Sequence, residues 1–166
     1  RDRIYFERSG GGVTISGGEV LSQVDFAADV LQALQARNVH TAIETTGYAP
    51  WPVLRRLLDV TDLVLFDLKH MDPEEHRRLT GVENGLILEN MRRVAESGVP
   101  MIVRIPLIPD CNLARSNMEA AADFVASLPG VNEVHLMPFH QLGKDKYPRL
   151  GMSYELPVGL TLVGAY

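Results

Sequence analysis

The sequence lacks the features that mark several common protein classes. It has one cysteine, Cys111, so no disulfide can form within the chain, and no second cysteine stands at zinc or iron–sulfur spacing. Such scarcity is compatible with a reducing cytoplasm, the expected compartment. Its longest apolar runs, residues 63–66 and 101–108, are short or broken by Arg104 and Pro106, far from the roughly 18 to 20 residues of a membrane span. It has no basic excess: 16 Lys and Arg stand against 21 Asp and Glu, a net charge of -5, which argues against a nucleic-acid surface. No signal peptide, internal repeat or low-complexity tract is visible. Neither nucleic acid nor membrane is an expected partner.

What remains is an ordinary globular composition. At 166 residues and 46% hydrophobic, the chain is long enough to bury a core without disulfides or structural metals, and one domain is the default. It begins at Arg1 rather than at methionine, as an internal fragment would. The expected boundaries are a domain over residues 1–157 and a tail of unassigned structure over 158–166, where apolar residues and glycines show no period.

Hydrophobic periodicity gives an alternating order of elements. Residues 11–17 (GGVTISG) read as a buried strand opening into a glycine loop. From Val24, the residues Val24, Phe26, Ala27, Val30, Leu31 and Leu34 predict the inner face of a helix ending near Asn38. A strand over 40–45, a helix over 52–60 and a strand over 62–69 follow. Asp72 and Pro73 open a short helix, residues 86–97 form a longer one closed by Gly98, and 100–106 is the fourth strand. A helix over 117–128 precedes a fifth strand over 131–139. Five strands alternating with helices imply an α/β fold with a parallel sheet, either an open doubly wound sheet or a partial TIM-type barrel. In both, ligands gather beyond the carboxyl ends of the strands.

Residues with useful chemistry fall at those ends. Ser16-Gly17-Gly18-Glu19 leaves the first strand. Its glycines let backbone groups approach a ligand, and Glu19 either accepts from an ammonium group or caps the next helix. Glu44-Thr45-Thr46-Gly47 ends the second strand and Asp67-Leu68-Lys69 the third. Two carboxylates, a hydroxyl and backbone carbonyls can hold a hard cation, or the acids can simply pair with Lys69. Arg104 interrupts an apolar strand, where a charge must meet a bound carboxylate or a structural partner. His140 leaves the fifth strand, as a ligand contact or a solvated loop residue. Cys111 reads as incidental, and His70 and His76 read as surface residues.

Taken together, RSGGGVTISGGE (8–19), ETTG (44–47), VTDLVLFDLK (60–69), VRIPLIP (103–109) and MPFHQLGKDKY (137–147) resemble the pyruvate formate-lyase activating enzyme family of the radical S-adenosylmethionine (SAM) superfamily. The resemblance covers roughly residues 1–150, and the opening DRIYFERSGGGVT looks most like activases with a ferredoxin-like insertion before this point. It implies a six-unit partial barrel, of which this chain would supply the second to sixth units. It implies SAM contacts from Gly17, Gly18 and Glu19 to the methionine amino group. Asp67, Leu68 and Lys69 would lie along methionine and ribose, His140 on adenine and Arg104 at the carboxylate. Glu44, Thr45, the Leu65 carbonyl and Asp67 fall where the family can hold a monovalent cation, with Glu44 replacing the usual aspartate. Val20 stands where the family usually has proline.

By the same resemblance, a CxxxCxxC motif for a 4Fe–4S cluster belongs upstream of Arg1. The complete enzyme would cleave SAM to a 5′-deoxyadenosyl radical that takes hydrogen from a glycine of a glycyl radical enzyme. An electron donor such as flavodoxin or ferredoxin would serve it, and these residues alone would be inactive. The rival readings are a Schiff-base aldolase using Lys69 and a non-catalytic SAM-binding or partner-docking module.

Overall fold

The computed structural model describes residues 3–140, 146–149, 151 and 153. The expected tail over 158–166, and residues 141–145 of the last motif, lie outside the described residues.

Five strands form one sheet in which every pair is parallel: β1 (Gly12–Ile15), β2 (His40–Thr45), β3 (Leu63–Asp67), β4 (Met101–Leu107) and β5 (Val134–Pro138). Their spatial order is the chain order, β1-β2-β3-β4-β5. A doubly wound sheet reverses direction partway and binds ligand at the reversal, whereas winding that never reverses is that of a barrel sector. The sheet is therefore part of a β/α barrel.

Helices follow the strands at nearly the expected places: α2 (Val24–Gln35), α3 (Trp51–Leu58), α4 (Pro73–Thr80), α5 (Gly85–Ser97) and α6 (Arg115–Ala126). Their ends obey local chemistry. Asp72 caps α4 by accepting the Glu75 amide at 2.9 Å, and Gly98 closes α5 at φ 78°, a conformation that favours glycine. One sheet face packs on the helices through Ile43, Val64, Phe66 and Val103, all fully buried. The alternate residues Glu44, Leu65, Asp67, Ile102 and Arg104 lie on the other face and are only partly buried. Side chains alternate along a strand, so this second face is the barrel interior.

Four features differ from expectation. A helix, α1 (Arg3–Ser9), precedes β1. Its Ile4 and Tyr5 are exposed, so no apolar stripe announced it. A four-residue helix, α7 (Lys146–Arg149), follows β5. Phe26 is 65% exposed rather than inward. The buried stripe of α2 runs through Ala27 and Leu31, and one residue back along a helix is a turn of about 100° away from it.

The fourth difference concerns His70 and His76, which are buried, not superficial, at 7% and 2% exposure. His76 Nδ1 lies 2.7 Å from the Val82 carbonyl, fastening α4 to the turn that follows it. His70 Nδ1 accepts the Asp72 amide at 3.0 Å. Both imidazoles are hydrogen-bonded to backbone groups, as buried polar side chains usually are.

At the amino ends of the strands, Asp62 latches β2 to β3. Its Oδ2 accepts the Thr41 amide and hydroxyl, each at 2.8 Å, and its own amide donates to the Thr41 carbonyl at 3.0 Å.

Candidate active site

The carboxyl ends of β1, β2 and β3 converge on two adjoining clefts of about 300 and 100 Å³ that share Gly18, Glu19, Thr46 and Asp67. Ser16, Gly17, Glu44 and Thr45 complete the smaller one. Lys69, Tyr48, His76 and Ile87 help to line the larger. Parallel winding places these side chains on one rim although they are far apart in sequence.

Glu19 is the hub of the first loop. Its Oε1 accepts from the Leu21 amide at 3.2 Å and the Thr45 hydroxyl at 2.6 Å. Its Oε2 accepts from the Thr46 amide at 3.0 Å and the Thr46 hydroxyl at 2.7 Å. A carboxylate offers about four acceptor sites, and all are engaged. The capping role and the reach toward the rim are thus both present, and together they brace the β1 loop against the end of β2. Gly17, at φ 132°, turns the preceding backbone through a region that suits glycine.

Gly47 holds the next turn. Its φ is 70°, and a Cβ there would lie 2.1 Å from the Phe66 ring. Its amide donates to the Thr45 hydroxyl at 2.9 Å, and its carbonyl accepts from Asn90 of α5 at 2.8 Å, as does the Ala49 carbonyl.

Beyond β3, three asparagines fix the loop that carries Lys69. Asn112 donates to the Lys69 carbonyl at 3.0 Å and the Pro106 carbonyl at 2.5 Å, and accepts the Ile108 amide at 2.9 Å. Asn117 accepts the Met71 amide at 2.9 Å, and Asn84 donates to the His70 and Met71 carbonyls. The Lys69 side chain lines the larger cleft.

Arg104 sits in register with Asp67. Its Nε and Nη2 donate to Asp67 Oδ1 at 3.0 and 2.9 Å, and the same Nη2 pairs with Glu44 Oε1. The Ser16 hydroxyl donates to the other Glu44 oxygen. Of the two partners offered to Arg104 by the sequence, the structural one is present, and it is a pair of acids rather than one. The alternative pairing of Glu44 or Asp67 with Lys69 does not occur among the described ion pairs. Burial pushes the Asp67 carboxyl above the ordinary carboxylate range, and the nearby Glu44 adds to this, although Arg104 and Lys69 oppose it. The Arg104 guanidinium is also raised, because its two acids outweigh its own burial.

Three predicted contacts stand apart. Arg104 lines neither cleft, although both of its acids do. The Leu68 side chain is buried in the core at 2% exposure, so only its backbone faces the rim, where its amide donates to the Arg104 carbonyl at 2.9 Å. His140 is exposed just beyond β5 and lines neither cleft. Conversely, Thr46, Tyr48 and Ile87 line the site without having been named as ligand contacts, and so does His76, which had read as a surface residue. Thr46 alone carried a signal, as the second hydroxyl of ETTG.

The donor set suits an amphoteric ligand. Carboxylates, an ammonium, a guanidinium and glycine backbone fit the amino-acid end and ribose of a sulfonium nucleoside. A monovalent cation fits less well: the Glu44 oxygens are taken by Arg104 and Ser16, and the Thr45 hydroxyl by Glu19 and Gly47. A 4Fe–4S cluster needs three thiolates and the sequence has one cysteine, so its ligands would come from outside these residues.

Fold and rim together define a β/α barrel sector whose candidate ligand cleft lies at the carboxyl ends of its strands. The family model "Radical SAM superfamily" matches residues 2–125. The chain is 46% identical over 156 residues to pyruvate formate-lyase 2-activating enzyme of Escherichia coli (strain K12), covering 94% of the chain and 53% of that protein. It is 41% identical over 158 residues to (2S)-3-sulfopropanediol dehydratase activating enzyme of Klebsiella oxytoca, covering 94% and 50%. A crystal structure of a domain of pyruvate-formate lyase-activating enzyme from Bacteroides vulgatus ATCC 8482 superposes with TM-score 0.73 at 41% identity, covering 79% of the chain and 82% of that domain. The chain belongs to the radical SAM superfamily, and these named relatives are activating enzymes. It spans about half the length of these two curated relatives.

Proposed function

We propose that the chain is the SAM-binding part of an activase that installs a glycyl radical on a partner enzyme. The observation that carries this reading is the convergence of Glu19, Thr46, Asp67 and Lys69 on one rim cleft, in a family whose named relatives are activating enzymes. With Glu19 saturated by Thr45, Thr46 and Leu21, the carbonyls of Gly17 and Gly18 meet the methionine ammonium, held in place by the Glu19 brace. Asp67 and Lys69 address methionine and ribose. The free edge of Arg104 meets the carboxylate. His140 covers adenine, and Leu68 contributes its backbone.

In the complete protein a reduced 4Fe–4S cluster, held by thiolates outside these residues, would supply the electron for cleavage of SAM to methionine and a 5′-deoxyadenosyl radical, and that radical would take hydrogen from a glycine of the partner. The part played by this chain's residues is to hold SAM at the barrel mouth. A flavodoxin or ferredoxin is the fitting electron donor, and the reducing cytoplasm is the compartment that suits such chemistry. Among the described residues no helix is long and apolar enough to cross a membrane. Nothing observed favours the aldolase reading of Lys69.

The test is anaerobic. The protein carrying its upstream cysteines is loaded with iron and sulfide and given SAM and dithionite, and 5′-deoxyadenosine is assayed. Product that disappears when those cysteines are replaced supports the reading. No product from a loaded cluster overturns it in favour of a SAM-binding module, while a borohydride-trapped adduct at Lys69 would revive the aldolase.

A further inference from the structure

We propose that Arg104 is the built-in counter-cation of the Glu44 and Asp67 carboxylates, so that this protein binds SAM without a monovalent metal ion. The inference rests on the reading of the cleft as a SAM site.

Three consecutive strands make the arrangement. Asp67 on β3 and Arg104 on β4 are direct register partners, so the guanidinium needs little reach to bond Asp67 Oδ1 through both Nε and Nη2. Glu44 lies a further strand away on β2, opposite Leu65. Spanning two strands requires long side chains at both ends. Glutamate supplies the extra methylene that aspartate lacks, and its Oε1 meets Arg104 Nη2. The Ser16 hydroxyl engages the remaining Glu44 oxygen. All three charged side chains are largely shielded, at 13% exposure for Arg104, 25% for Glu44 and 21% for Asp67.

A metal ion bound there would find both Glu44 oxygens and Asp67 Oδ1 already engaged, with only Asp67 Oδ2 left open among the carboxylate oxygens. It would also sit beside a guanidinium already within ion-pair distance of both acids, and the two cations would repel at low dielectric. The Thr45 hydroxyl gives no relief, because it donates to Glu19 and accepts from Gly47 on the buried side of β2. Arg104 Nη1 bonds nothing among the described residues. One edge of the guanidinium therefore neutralises the acids, and Nη1 is left available to a ligand carboxylate.

The test uses the full-length protein with its cluster loaded. SAM affinity is measured by calorimetry at matched ionic strength in potassium, sodium and tetramethylammonium chloride, the last too bulky to enter the site. The dissociation constants should agree within about twofold, and the melting temperature without SAM should not depend on which cation is present. Affinity lost by about tenfold or more in tetramethylammonium, and restored saturably by potassium or sodium, would overturn the inference and leave the activase reading intact. Failure to bind SAM in every salt would count against the activase reading, and the cation dependence of melting would then decide the role of Arg104. Arg104→Gln supplies the converse: with the guanidinium gone, potassium or sodium should stabilise the protein saturably, and a variant indifferent to both would contradict the proposed role.

Discussion

Thr46 donates twice to a single oxygen of Glu19, from its amide at 3.0 Å and from its hydroxyl at 2.7 Å. This pair of hydrogen bonds to one atom ties the glycine loop after β1 to the end of β2. Thr46→Val keeps the side chain's shape and removes one donor, so SAM affinity should fall by about three- to tenfold, less than the full worth of a hydrogen bond to a charged group because the effect reaches SAM only through the loop. Glu19→Ala removes all four bonds and should weaken SAM by well over tenfold. Calorimetry on the cluster-loaded protein distinguishes the two. Unchanged affinity in Thr46→Val beside a large loss in Glu19→Ala would show that Glu19 contacts the ligand directly instead of bracing the loop.

Gly47 tolerates no side chain. Its positive φ opposes substitution, and so does the Phe66 ring, which a Cβ at this position would approach to 2.1 Å. Phe66 is fully buried and cannot move aside. Gly47→Ala should cost about 3 kcal/mol or more in urea unfolding. An unchanged midpoint would refute the close approach.

Asn112 serves three backbone groups from two loops. Asn112→Leu leaves the Lys69 and Pro106 carbonyls and the Ile108 amide unpaired in a buried setting, and should destabilise the protein by about 2 to 4 kcal/mol. Because one of those groups belongs to Lys69, SAM affinity should fall as well. A loss of stability with unaltered affinity would show that the Lys69 side chain is positioned independently of its loop.

Asp62 gives the fold a defined response to acid. Burial alone pushes its carboxyl up, but the Thr41 amide and hydroxyl, with His40 and Gln35, outweigh burial and hold it below the ordinary aspartate value. A carboxylate with a depressed folded pKa binds its proton more weakly in the native state than in the unfolded one. Its contribution to stability is therefore complete above the unfolded pKa of about 3.9 and is lost as the pH falls through the folded value. Urea midpoints taken from neutral pH down to about pH 3 should fall less steeply for Asp62→Asn than for the parent protein. Parallel curves would contradict the latch.

The strands and most helices were legible because their signals are local: apolar runs stopped by glycine, an Asp-Pro helix start, a glycine stop after α5. The rim residues were legible because motifs at strand ends must converge in any parallel α/β fold. The misses have physical causes. His76 escaped because α4 is highly charged, yet it lies one turn before the half-buried Leu79 on the same face, and an imidazole there is packed, not solvated. Phe26 has the apolar character of a stripe that passes it by. The triad of Glu44, Asp67 and Arg104 depends on strand register, which no single segment encodes. The saturation of Glu19 likewise required knowing which loop it faces.

The latch at Asp62 and Thr41 and the acids at the rim occupy opposite ends of the same strands. Evolution can therefore revise the two separately: the rim is free to drift toward new partners while the latch maintains a folded scaffold, and a weakened site can be carried for generations without loss of the protein that bears it. For an engineer the same separation means that thermal tolerance is best sought around Asp62, and altered recognition around Glu19 and Lys69.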